Sequence, residues 1–198
     1  MTRMAFIASM ILAIGPLPAE DWPQFRGPNC SGVSTTNSPL PIQFSATEHV
    51  KWSVTLGDGI GSPVVAAGRV FKSAMIDDKT VGLFAFDAAS GQQLWMRSWP
   101  IGDVDEIHQT NSHAGTTPAA DSECVYFYFS TLGMVGLDAK TGEDVWRKAL
   151  PVPYFVFKWG RRNVARDLQG FNPVLSGRRP SPGVVRIRQT IGRDSMEG

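Results

Sequence analysis

The chain is 198 residues long, 42% hydrophobic and formally +1 at pH 7, so it can hold one ordinary domain or two small ones. No bulk charge drives it toward nucleic acid, yet residues 1–160 carry eleven Lys/Arg against fifteen Asp/Glu, whereas 161–198 carry eight Arg, no Lys and three acids. Two cysteines, Cys30 and Cys124, do not make a disulfide framework, and without CxxC or CxxCH spacing a zinc ribbon or attached haem has no support.

Residues 1–19 read as an export signal. Arg3 gives a short positive start, "AFIASMILAIG" an apolar run, and Leu17-Pro18-Ala19 a small residue at the cut. The run falls short of the roughly twenty apolar residues a span needs, so no transmembrane segment is predicted. A buried N-terminal helix is the alternative, but it leaves the charge and the cut site unexplained. No Cys follows for lipid attachment. The mature chain begins near Glu20, outside the cytoplasm, in a periplasmic or extracellular setting. Residues 20–48 form an N-terminal extension and 49–160 the body of the fold.

That body repeats itself. "DAASGQQLW" (Asp87–Trp95) recurs as "DAKTGEDVW" (Asp138–Trp146), fifty-one residues later. Upstream, Pro63 matches Pro118 and Val70 matches Val125 at a separation of fifty-five. The four-residue shift is assigned to a loop around "MIDDKT", since loops tolerate length changes. Each copy reads as four short strands: "SPVV", "RVFKSAM", "VGLFAFD" and "QQLWMRSW" in the first, with "CVYFYFS" equally rich in strand-forming residues in the second. Asp87 and Asp138 can bond the backbone ahead of them, and Gly91 and Gly142 supply the left-handed residue that closes such turns. Trp95 and Trp146 return at one offset from their turns, which points to contact between repeats. "HVKWSVTL" (His49–Leu56) reads as a lone fourth strand with Trp52 in the equivalent place. Units of this length and strand number predict an all-β fold, a partial β-propeller of about two to three four-stranded antiparallel blades. An immunoglobulin-like sandwich is the competing all-β arrangement, which a repeat disfavours.

The stretch Ala85–Gly91 with Trp95 resembles the tryptophan-docking motif of pyrroloquinoline-quinone-like (PQQ-like) propeller repeats. The second copy keeps Asp138, Thr141, Gly142 and Trp146 but has Gly136 where that motif commonly has Ala. "DWPQFRGPNCSGVS" (Asp21–Ser34) is similar to the opening of exported PQQ-like repeat proteins of planctomycete-type bacteria. The resemblance covers about Asp21 to Trp159 and implies a propeller, usually of seven or eight blades, outside the cytoplasm.

Ligand sites of propellers usually lie where the loop from strand four to the next strand one opens. Here that loop is "IGDVDEIHQTNSHAG" (Ile101–Gly115), which holds two of the three histidines and sits beside "IDDKT" (Ile76–Thr80). His108, Asn111 and His113 are its candidate binding residues, with Asp103, Asp105 and Glu106 nearby. His and carboxylates can ligate metals, but loop spacing fixes no geometry, and no metal site is assigned. No catalytic triad, nucleophile elbow or phosphate loop occurs. The resemblance allows two functions. One is a non-catalytic binding or scaffold module, like the assembly-scaffold propellers of bacterial outer membranes, with a protein or extracellular ligand as partner and no cofactor. The other is a PQQ-dependent quinoprotein oxidoreductase, or an inactive remnant of one, which implies PQQ with calcium. Many such enzymes carry two adjacent cysteines, and calcium needs clustered oxygen ligands; this sequence displays neither.

Residues 161–198 lose the pattern: no Trp, no Tyr and no copy of the Asp turn accompany the eight Arg. The tail reads as disordered or out of frame. A basic tail for an anionic surface is the alternative, although no aromatic residues interleave the charge. Two and a half units would leave open sheet edges, through which the chain can associate. No nucleic-acid partner is predicted.

Overall fold

The first pair of strands is joined at Ala67-Gly68, both at positive φ (47° and 73°). Two consecutive left-handed residues make the two-residue turn whose twist matches that of antiparallel strands. It joins β1 (Val64–Ala66) to β2 (Arg69–Asp77), which pairs with β3 (Thr80–Asp87), which pairs with β4 (Gln93–Pro100). The second repeat gives β5 (Ala119–Ala120), β6 (Cys124–Phe129), β7 (Gly133–Asp138) and β8 (Asp144–Lys148) in the same order. Each repeat is therefore one four-stranded antiparallel sheet, a blade. This is the computed structural model of the protein, in which residues 20–36, 41–104 and 106–151 are described. All of them fall within one compact unit, Met1–Arg166. The expected signal (1–19), the aromatic stretch Tyr154–Trp159 and the Arg-rich tail (161–198) lie outside the described residues. Among the described residues no helix is long and apolar enough to cross a membrane.

The blades match in detail. In each, the pairing of strands three and four slips by one residue just before the Asp turn, between Ala85 and Phe86 and again between Gly136 and Leu137. Such a bulge bends the strand and raises its twist locally. The four-residue length difference, however, is not a loop. The first hairpin turns on Asp78-Lys79 between strands of nine and eight residues; the second has strands of six and six. The extra residues pair, so they lengthen both arms and carry the tip outward. There the backbone N–H of Ile101 donates to Lys79 O (2.9 Å), placing the hairpin tip beside the start of the long loop.

Alternation along the strands sends one face of each blade into a shared core. Phe71, Leu83, Ala85 and Trp95 of the first blade form one cluster with Val125, Phe127, Val135 and Leu137 of the second. The first blade's other face carries Ala74, Phe84 and Phe86, over which Trp52 and Leu56 pack. Residues 49–56 are not a strand there. They lie across the blade face, and among the described residues their backbone joins no ladder. The described part of the extension 20–48 is tied to the blades. Trp22 pairs with Val65 through two backbone bonds (2.7 and 2.9 Å), and Pro23 O accepts from Ala120 N (2.8 Å). The segment thus spans the inner edges of both blades.

Candidate functional site

Two constructed features remain once the sheets are assembled: the turns that receive tryptophans, and a polar seam between the innermost strands. Each turn begins with an aspartate serving its own backbone. Asp87 Oδ1 accepts from Ala89 N (3.1 Å), Ser90 N (2.8 Å) and Ser90 Oγ (2.7 Å). Asp138 Oδ1 accepts from Lys140 N and Thr141 N, both at 2.8 Å. Bonds to the ionised form hold both carboxyls below the ordinary aspartate range. The Ser90 hydroxyl contributes most at Asp87, and the Thr141 backbone N–H most at Asp138. Gly91 and Gly142 then sit at φ 74° and 73°.

Onto each glycine lies an indole from the element before. The Trp95 indole N–H donates to Ala139 O (3.1 Å), and its ring covers Gly142 so closely that a Cβ there would stand 2.7 Å from it. Trp52 repeats this one blade earlier, donating to Ala88 O (3.0 Å) over Gly91. Trp146 differs. It is half-buried rather than fully buried, and its indole nitrogen, though sealed from solvent, has no hydrogen-bond partner among the described residues. Its ring lies on its own blade, 6.2 Å from Tyr126, with Nε1 2.4 Å from where a Cβ on Gly136 would stand. The equivalent of Gly136 in the first blade is Ala85, whose methyl denies Trp95 that resting place.

The seam was hidden in the sequence among ordinary Ser and Thr. Ser62 N donates to Thr117 Oγ1 (2.9 Å), and buried Ser73 Oγ donates to Thr116 O (2.8 Å). Gly61 N reaches Ala114 O (3.2 Å). Ser62 and Thr117 are fifty-five residues apart, the displacement of the repeat itself, so equivalent positions touch. Contact between equivalent inner positions is what rotation about a common axis produces. The match of "SP" with "TP" was the available signal.

The long loop turns out to be partly core. Ile101, Ser112 and Ala114 are buried, while His108 is exposed and its Nδ1 is shared with Thr110 Oγ1 (2.9 Å). Asn111 N donates to His108 O (2.8 Å), and Ser112 Oγ accepts from Ala114 N (3.1 Å), so the loop largely bonds itself. Asn111 and His113 are half-buried, and Asp105 lies outside the described residues. Among the described residues no three His, Cys, Asp or Glu side chains gather as metal ligands. Cys30 and Cys124 are both free thiols, and burial pushes that of Cys124 up.

Two repeated antiparallel blades, tied at their inner strands and docked by tryptophans, define a partial β-propeller of PQQ-like repeats. The profile of the family described as "Outer membrane protein assembly factor BamB" matches residues 33–154, well over half of the chain. The protein belongs to that family. A curated relative, the outer membrane protein assembly factor BamB of Shewanella oneidensis (strain MR-1), is 28% identical over 132 residues, covering 59% of this chain and 32% of the relative. The chain thus spans about a third of that relative's length. The crystal structure of BamB from Moraxella catarrhalis aligns with a TM-score of 0.36 at 21% identity, covering 50% of this chain and 26% of that one.

Proposed function

We propose that the chain is an exported, non-catalytic binding module that acts as a scaffold for other polypeptides, in keeping with the assembly role in its relatives' name. The observation that carries this reading is the character of the outer strands. In β4 the side chains of Leu94 and Met96 are more than two-fifths exposed, as is Val145 in β8. Each is the last strand of its sheet, so an apolar, hydrogen-bonding edge faces outward. An extended polypeptide can add to such an edge, its backbone supplying affinity and its alternate side chains contact. The loop candidates His108, Asn111 and His113 serve this reading as rim contacts to a protein ligand.

The test titrates fluorescently labelled, unfolded outer-membrane β-barrel polypeptide with the purified chain. Saturable binding that Met96→Lys weakens is expected. In parallel, PQQ and Ca²⁺ are added with an alcohol and an artificial electron-accepting dye. Saturable dye reduction, or no polypeptide binding, would overturn the scaffold reading.

A further inference from the structure

The two ends of the blade pair are complementary. At one end stands Trp146, a buried indole donor with no acceptor among the described residues. A buried unmade hydrogen bond is costly, so such a donor points to an acceptor supplied from elsewhere. Which acceptor fits is written twice in this molecule. Trp52 and Trp95 each donate to the carbonyl of the residue after the aspartate, Ala88 or Ala139, while covering the glycine of the same turn. The natural receptor for Trp146 is thus another turn of sequence Asp-Ala-x-(Ser/Thr)-Gly.

The chain has two such turns, and they are not equally closed. Ala139 and Gly142 are buried beneath Trp95, inside the shared core. Ala88 and Gly91 are only half-buried beneath Trp52. Trp52 itself comes from a segment that is not a strand, with Lys51, Ser53, Val54 and Thr55 exposed around it. It occupies the turn without a backbone ladder to anchor it.

We propose that copies of this chain associate head to tail, the Trp146 indole of one copy displacing Trp52 from the Asp87–Gly91 turn of the next. The second blade of one copy then stacks on the Ala74/Phe84/Phe86 face of the following copy, as blade stacks on blade within the chain. Trp146 must first leave its rest on Gly136, which only the missing methyl there opens to it. Head-to-tail contacts differ from two-fold ones in leaving both ends available for further copies.

Sedimentation of the full chain over a range of concentrations tests this. The wild-type chain is expected to show concentration-dependent association. Trp146→Phe keeps a ring but no N–H, and should weaken each contact roughly tenfold, the scale of one hydrogen bond lost at a buried acceptor. Trp52→Ala should do the reverse and tighten it roughly tenfold, because a competitor for the turn is gone. Trp52→Ala with Trp146→Phe should return to weak association, which separates specific tightening from aggregation of a destabilised chain. Far-UV circular dichroism checks that each variant is folded. A monomeric wild type, a Trp146→Phe chain that associates like wild type, or tightening in Trp52→Ala that survives the second substitution would each overturn the proposal.

Discussion

Gly142→Ala tests whether the tryptophan contact holds the blades together or merely accompanies their packing. Gly142 and Gly68 share φ 73°, so an alanine at either meets the same left-handed backbone penalty, about 1–2 kcal/mol. Their surroundings differ. A Cβ at Gly68 meets nothing within 4 Å, whereas at Gly142 it would stand 2.7 Å from the Trp95 ring. A ring-carbon contact that short cannot persist, so Trp95 must lift away from the turn. Lifting it stretches the indole bond to Ala139 O (3.1 Å), an acceptor that is only 1% exposed, and loosens Trp95 from Phe71 at 5.8 Å. Loss of one buried bond costs about 1–3 kcal/mol. Gly142→Ala should therefore cost about 2–5 kcal/mol in all, and Gly68→Ala only the first part. Urea unfolding followed by far-UV circular dichroism measures both without relying on the indole being perturbed. In a Trp95→Leu background the excess at Gly142 should vanish, leaving the two alanines equal. Equal costs in the wild-type background would refute the reasoning, because the indole would then yield at no expense.

Ala67 occupies the first position of the β1–β2 turn at φ 47°, where glycine is unstrained, so Ala67→Gly should stabilise by about 1 kcal/mol and raise the thermal midpoint a few degrees. Its N–H, which donates to Asp21 Oδ1 (2.9 Å), is kept by that change. Asp87 and Asp138 titrate below their unfolded value, so the unfolded chain binds more protons in that window and stability falls as pH drops. Their contribution is whole above about pH 4 and is lost as pH passes down through the depressed folded values. Urea midpoints between about pH 5 and pH 2 should show a decline that is shallower in Asp87→Asn.

The architecture was legible because its signal is periodic. A turn of Asp, Ser/Thr and Gly followed at fixed offset by Trp states both the hairpin and the repeat, and the bulges at Ala85 and Gly136 keep the same period. What escaped depends on neighbours rather than on the strand itself. Trp95 and Trp146 are alike in sequence, but an indole is buried and bonded only if another turn arrives to accept it. Residues 49–56 have the composition of a strand, yet strands exist only in pairs, and these residues lie against side chains instead. The four added residues at "MIDDKT" have the composition of a loop, but pairing extends them into the hairpin arms. Ser73 and Thr117 give no sign of burial in the sequence, since small hydroxyls suit either surface or seam. His108 drew attention by its chemistry and sits exposed at a turn.

The clasp made by Trp22 and Pro23 has a consequence in time. A growing chain makes this segment before either surface that will hold it, because its partners are Val65 and Ala120. It can settle only in part when the first blade forms, through Val65, and fully when the second has brought its innermost strand alongside. This early segment is thus among the last to be fully placed. Contacts of such long range are slow to close, since the chain between must be ordered before they reward it. Until then the inner edges of β1 and β5 stand open to any other extended strand, including the same segment of a neighbouring molecule.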